Sequence, residues 1–207
     1  MPAMSSPLAQ TFTVEADAEV EVAGRFLTSV DVYFSAKDDT LPITLEIRNV
    51  INGYPGNKTL PFSRVVKDTA DVNVSDTAAT ATTFTFSELV FVEIETEYAL
   101  VLKCATPDYN VWVTRMGDID IGGTRTISKQ PHVGLLFKSQ SSQTLVPAPM
   151  EDLKFAVKTA SFDIAAAGLV TLTNDDVPIA TLGRSPIIMD ETTTLKIKHP
   201  DHHMYAT

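Results

Sequence analysis

The chain has 207 residues, of which 44% are hydrophobic and 20% are charged. That composition excludes a largely disordered protein, and the length suffices for one or two domains with a buried core. No apolar run approaches the length of a membrane helix, and the first residues lack the basic and apolar regions of a secretory signal, so neither is predicted. The net charge of −10 disfavours binding to nucleic acid, because neutralising phosphates supplies most of that affinity.

The cysteine and threonine contents narrow the fold class. Cys104 is the single cysteine, so an intrachain disulfide and a zinc site built from thiolates are both excluded. Threonine is abundant, with 26 residues, and valine is frequent as well. Both side chains branch at Cβ and favour strands over helices. The composition therefore favours a β-protein that is not held together by disulfides.

Alternation of apolar and polar residues predicts nine strands. Within Phe26–Phe34 the even-numbered residues, beginning with Phe26, fall on the predicted buried face. Tyr98–Lys103 is apolar on both faces, which predicts a central place in a sheet. In chain order the predicted strands are Leu8–Val14, Phe26–Phe34, Ile43–Val50, Phe62–Val66, Thr82–Phe86, Tyr98–Lys103, Tyr109–Arg115, Val133–Phe137 and Leu153–Phe162.

Turn-forming residues separate these strands, and no amphipathic helix is predicted between them. The cluster Asn52–Gly56 predicts a tight turn, and Gly117–Gly123 and Ser139–Pro149 are predicted to be loops. Strands at regular spacing without intervening helices are typical of two packed antiparallel sheets. The sequence therefore predicts an all-β protein in which residues 1–165 form an antiparallel two-sheet β-sandwich.

The sequence changes character after residue 165. Residues 166–207 are predicted to form a linker and a short C-terminal β extension, with strands at Leu169–Thr173 and Thr193–Lys198. A segment of about 40 residues is marginal as an independent domain without metals, disulfides or partners. We therefore expect it either to begin a second β module of a longer protein or to fold against a partner chain.

An ordered set of short motifs is similar to one known family. The motifs are Pro7–Val14, Phe26–Phe34, Leu45–Arg48, Asn52–Gly56, Glu97–Leu102, Gly122–Arg125 and Glu151–Phe155. In this order they resemble the jelly-roll module of large virion structural proteins, which are baseplate or tail components of contractile-tailed phages, especially cyanobacterial phages. The resemblance covers roughly residues 5–165, and Thr194–Met204 resembles the opening of the module that follows in such proteins.

The resemblance implies a jelly-roll-like sandwich and a structural rather than enzymatic role. It implies a phage virion protein of the baseplate or tail that holds neighbouring subunits together, with other tail or baseplate proteins and further copies of itself as partners. The resemblance brings no catalytic residue, cofactor or metal ligand with it. It places the protein in the virion, assembled in the host bacterial cytoplasm, and the absence of disulfides fits that reducing compartment.

Aromatic residues on the predicted outer strand faces define a candidate interaction site. Tyr33 and Trp112 lie on such faces, Arg115 is close to Trp112 in the pattern, and Tyr54 lies in a turn. Exposed aromatic side chains with polar neighbours serve as stacking platforms for sugars and as anchors in protein interfaces. The alternative function is therefore a carbohydrate-binding β-sandwich module that recognises a host-surface glycan. A fully covered sheet would instead make Trp112 a core residue.

Two clusters carry metal-binding residue types, and neither is predicted to bind a metal. In His199–His203, the adjacent His202 and His203 would point to opposite faces of a strand, so a polar turn is the favoured interpretation. Asp118 and Asp120 lie in a glycine-containing loop, but calcium requires six to eight oxygen ligands. A surface loop with aspartate-stabilised turns is the favoured interpretation there.

No arrangement of nucleophile and base is predicted, so we do not expect an enzyme. Cys104 ends an apolar strand and is typical of a small buried hydrophobic residue. The chain contains no Gly-x-Ser-x-Gly motif and no glycine-rich phosphate loop. His132 is the single histidine in the predicted sandwich, and no motif connects it to a serine or a carboxylate.

Overall fold

The structure is a computed structural model that describes residues 7–15, 23–121, 123–130, 134–140, 144–162, 195–198 and 203–206. The chain divides into two units, Met1–Phe162 and Asp163–Thr207. Within the described ranges, the regular structure consists of strands and one turn of 3-10 helix at Thr69–Asp71. The predicted all-β class is therefore confirmed.

The larger sheet of the first unit contains seven strands. They are β1 (Leu8–Thr13), β3 (Ile43–Ile51), β4 (Tyr54–Thr59), β5 (Val65–Lys67), β7 (Glu97–Cys104), β10 (Leu136–Gln140) and β11 (Thr144–Ala148). Their order across the sheet is β11-β10-β1-β7-β3-β4, and β5 also pairs with β3. All of these pairs are antiparallel. As predicted from its two apolar faces, β7 lies centrally, between β1 and β3.

The strands opposite form the second layer of the sandwich, a four-stranded sheet and, beside it, a separate two-stranded sheet. They are β2 (Gly24–Ala36), β6 (Ala81–Glu93), β8 (Asn110–Val111), β9 (Val113–Arg115), β12 (Glu151–Leu153) and β13 (Phe155–Thr159). One side of β2 pairs with β6, and its other side pairs with β13 and then with β8. Beyond β2, β9 pairs with β12. The pairing with β2 therefore ends between β8 and β9 on one segment and between β13 and β12 on the other, and this point of divergence is called the fork.

The strand pairs are nested along the chain. β1 pairs with β7, β2 with β6 and β3 with β5, each in the antiparallel sense. This is the pairing of one long antiparallel ribbon, and the contact between β3 and β7 rolls that ribbon into two layers. Two sheets formed in this way make a jelly-roll-like sandwich, as predicted.

One apolar core lies between the two sheets. Its fully buried side chains come from both layers, because alternate residues of each strand point inward. The largest of them are Phe34, Phe84, Leu27, Ile43, Leu45, Ile47, Leu100, Leu136 and Leu153. The core therefore holds together the strands on which the candidate site lies.

A bulge reverses the predicted faces at the start of β2. Leu27 is fully buried, whereas Phe26 is 36% exposed, so the expectation that Phe26 lies on the buried face is wrong. The register between β2 and β6 shifts between Leu27 and Ser29. A shift of this kind moves side chains to the opposite face of a strand, and the predicted alternation resumes at Val30.

Two strands lie in segments that were predicted to be turns or loops. The turn at Asn52 and Gly53, both with positive φ, occupies only two residues, so Tyr54 already begins β4. The predicted loop Ser139–Pro149 contains all of β11, which pairs with β10. The turn was therefore predicted correctly at Asn52 and Gly53 but made too long, and the loop prediction was wrong over β11. Pairing partners, rather than local residue types, decide where these strands begin.

The second unit contains one described hairpin. β14 (Leu195–Lys198) and β15 (His203–Ala206) pair in the antiparallel sense, and β14 lies within the predicted strand Thr193–Lys198. The predicted strand Leu169–Thr173 lies outside the described residues, as do His132, His199 and His202.

Candidate functional site

Backbone hydrogen bonds bring two of the predicted site residues together at the fork of the second layer. The Trp112 N–H donates to the Tyr33 carbonyl at 2.9 Å. The Lys154 N–H in turn donates to the Trp112 carbonyl at 2.9 Å. Trp112 separates β8 from β9 and Lys154 separates β12 from β13, so both residues lie where the strands diverge.

Side-chain contacts fix the orientation of these residues. The Lys154 ammonium lies 4.5 Å from the centre of the Tyr33 ring, within the range of a cation–π contact. Its Nζ also donates to the Ala78 carbonyl at 2.9 Å. The Trp112 indole Nε1 donates to the Ser75 carbonyl at 2.8 Å. The segment between Ser75 and Ala78 is thus bound to both side chains, which holds them in place.

Arg115 belongs to an ion-pair cluster beside the fork. Its Nε donates to Glu151 Oε1 at 3.0 Å, and Lys138 on β10 of the larger sheet pairs with Glu151 Oε2. Lys138 and Arg115 hold the pKa of the buried Glu151 carboxyl below its ordinary value, although burial opposes them. The cluster connects the fork to the larger sheet, so the Arg115 charge is already paired.

A groove of about 640 Å³ opens beside the fork. One wall is an arm formed by residues 117–121 and 123–127. The Gly117 N–H donates to the Ile127 carbonyl at 2.9 Å, and the Asp120 N–H donates to the Arg125 carbonyl at 3.0 Å. The lining side chains with chemical relevance are Trp112, Lys154, Thr77, Thr114, Arg115, Asp118, Ile119, Asp120 and Ile121.

The groove combines an apolar surface with hydrogen-bond acceptors. Ile119 is 66% exposed and Ile121 is 49% exposed, which is unusual for large aliphatic side chains. Among the described residues, no hydrogen bond or ion pair reaches the carboxylates of Asp118 and Asp120. Serine, cysteine and histidine are absent from the described lining. The groove thus presents aliphatic side chains beside carboxylate groups.

Tyr54 lies away from this groove. It is on β4 of the larger sheet, is 53% exposed, and its ring centre is 5.5 Å from that of Phe137. The structure therefore groups Tyr33, Trp112 and Arg115 but not Tyr54. The sequence analysis did not identify Lys154 as a candidate. It also did not identify the arm as part of a groove, although isoleucines that alternate with Asp118 and Asp120 in a predicted loop could have indicated it.

Cys104 and possible metal-binding clusters are the other chemical candidates among the described residues. Burial raises the pKa of the half-buried Cys104 thiol, which donates to the Thr106 carbonyl. A protonated thiol is a poor nucleophile. No group of three or more histidine, cysteine, aspartate or glutamate residues in the described ranges is arranged to hold a metal ion.

Comparison of this chain with protein-family models, curated proteins and solved structures gives no match. In the part of the chain that the structure describes, no helix is long and apolar enough to cross a membrane.

Proposed function

We propose that this chain is a phage virion structural protein, a baseplate or tail component that holds neighbouring subunits together. The motif resemblance over residues 5–165 supports the assignment to a virion, and the jelly-roll-like sandwich is compatible with it. The observation that carries the assembly role is an aromatic patch on the second layer, formed by Phe26, Phe91 and Phe162.

The aromatic patch leaves three phenylalanine rings in contact with solvent. Phe26 and Phe91 oppose each other across β2 and β6, with ring centres 5.3 Å apart. Phe162 packs edge-on against Phe26 at 5.6 Å and is 58% exposed. Contiguous exposed apolar side chains mark interaction surfaces, because covering them removes apolar area from water. A neighbouring subunit of the particle is the proposed cover.

The location is tested by analysing gradient-purified phage particles. We expect mass spectrometry to detect the chain in intact virions, and antibodies against it to label the tail or baseplate in electron micrographs. Its presence only among the soluble proteins of lysed cells would contradict the proposal.

The aromatic patch is tested by Phe91→Ser. We expect the variant to fold but to enter particles about tenfold less well than the unmodified chain, a difference equivalent to about 1.4 kcal/mol. The matched control is Phe62→Ser, because Phe62 is 60% exposed in the turn before β5 and lies outside the patch. Equal incorporation of both variants would show that the patch has no role in assembly.

A further inference from the structure

We propose that the groove between Trp112 and the arm binds a neutral, hydroxyl-rich saccharide. This function is separate from the assembly role, because it uses a different surface from the aromatic patch. The groove's volume of about 640 Å³ falls within the range of about 300–1,000 Å³ that is typical of small-molecule sites.

The groove offers a stacking surface for a sugar ring. The Trp112 indole N–H is directed at the Ser75 carbonyl, so the part of the ring that lines the groove is apolar. Ile119 and Ile121 on the arm extend this apolar surface. The C–H face of a pyranose packs against such a surface, whereas its hydroxyl groups remain available at the edge of the ring.

The polar groups of the groove favour a hydrogen-bond donor over an anion. Asp118 and Asp120 present carboxylate oxygens that accept no hydrogen bond from the described residues. The two cationic groups are already engaged, Arg115 with Glu151 and Lys154 with the Ala78 carbonyl. The free carboxylate acceptors therefore suit sugar hydroxyls, and each carboxylate repels an anionic group placed directly beside it.

The groove is also organised before any ligand binds. Backbone hydrogen bonds fix the two edges of the arm, with the Ile127 N–H donating to the Asp118 carbonyl at 2.9 Å. The fork fixes Trp112 through its backbone and its indole nitrogen. A pre-formed site avoids the entropic cost of ordering side chains on binding. That property suits a small ligand better than a large protein surface.

The single tryptophan of the chain makes this proposal directly measurable. The full chain is titrated with three soluble neutral polysaccharides, dextran, mannan and galactomannan, and with anionic polygalacturonate. We expect at least one neutral polysaccharide to shift the Trp112 emission and to protect it from acrylamide quenching in a saturable manner. We expect no saturable change with polygalacturonate. A response confined to polygalacturonate, or none to any polysaccharide, would overturn the proposal.

Two arm variants test whether the groove itself is responsible. Ile119→Asp and the double variant Asp118→Ala/Asp120→Ala change exposed positions, so we expect both to fold and to bind at least about tenfold more weakly. Tyr54→Ala on the larger sheet is the matched control and should bind normally. Unchanged binding by both arm variants would refute the site. If a lysine-rich peptide gives a saturable change in Trp112 emission and no neutral polysaccharide does, the groove binds a cationic protein segment and the saccharide proposal is wrong.

Discussion

At the scale of single residues, Asp38 organises the turn between β2 and β3. Its Oδ1 accepts hydrogen bonds from the Leu41 and Thr40 backbone N–H groups, both at 2.7 Å, and from the Thr40 hydroxyl at 3.0 Å. The N–H of Leu41 and then that of Thr40 lower the pKa of Asp38 to about 2. The turn is therefore built around an ionised carboxylate.

Asp38→Asn tests this arrangement through its pH dependence. The carboxyl titrates near 3.8 when unfolded and at about 2 when folded. Its ionisation therefore stabilises the fold fully above about pH 4, and that contribution disappears as the pH falls towards 2. We expect the Tm of the Asn variant to fall less between pH 4 and pH 2 than the Tm of the unmodified chain. Asp39→Asn, at an exposed neighbour, should retain the original dependence, and identical curves for both variants would contradict the interpretation.

At the scale of secondary-structure elements, a buried glutamine fastens β12 to β1. Gln10 is fully buried, its Oε1 accepts from the Leu153 N–H at 2.9 Å, and its Nε2 donates to Asp152 Oδ1 at 3.3 Å. β12 is only three residues long and its ladder is shared with β9. Such a short strand depends on side-chain contacts for its position, and the fork of the candidate site depends on β12.

Gln10→Leu removes this attachment without creating a large cavity. We expect it to lower the free energy of unfolding by about 1–3 kcal/mol, because the buried Leu153 N–H loses its acceptor. Urea denaturation followed by circular dichroism measures the change.

The control is Gln130→Leu, which removes an amide hydrogen bond to the Pro149 carbonyl at the surface. We expect it to cost less than about 0.5 kcal/mol. If the two substitutions cost the same, the Gln10 contacts do not fasten β12 to β1.

At the scale of the whole molecule, the sandwich core belongs to one unit. All members of the apolar core lie within Met1–Phe162, and so does a smaller buried cluster of Ala9, Ala99, Val101 and Phe137. A hydrophobic core of this kind is the main favourable contribution to folding. The first unit therefore contains what an independently folding domain requires.

A chain that ends at Phe162 tests this independence. We expect it to unfold cooperatively, with a Tm within about 4 °C of that of the full chain, which corresponds to about 1 kcal/mol for a domain of this size. Differential scanning calorimetry gives both quantities. A chain that ends at Lys154, and so lacks β13 beside β2, should not fold. Loss of the cooperative transition in the chain that ends at Phe162 would show that the core of the first unit is insufficient for independent folding.

The accuracy of the sequence predictions follows the range of the interactions involved. Tyr98–Lys103 was correctly placed in the centre of a sheet because its own residues are apolar on both faces. Phe26 was assigned to the wrong face because the bulge depends on how β2 pairs with distant β6. Trp112 was predicted as a candidate from its local alternation, whereas Lys154 was not, because it lies 42 positions further along the chain.

The amino-acid sequence by itself determined the all-β class, most strands, the antiparallel sandwich and the aromatic candidates, since all of these follow from side-chain periodicity and composition. The tertiary structure decided the nested strand order, the bulge, the fork and the separation of Tyr54 from the groove. It also brought Ile119 and Asp120 to the same groove as Trp112. The physical reason is that strand pairing and groove formation join residues far apart in the chain, so local patterns do not encode them.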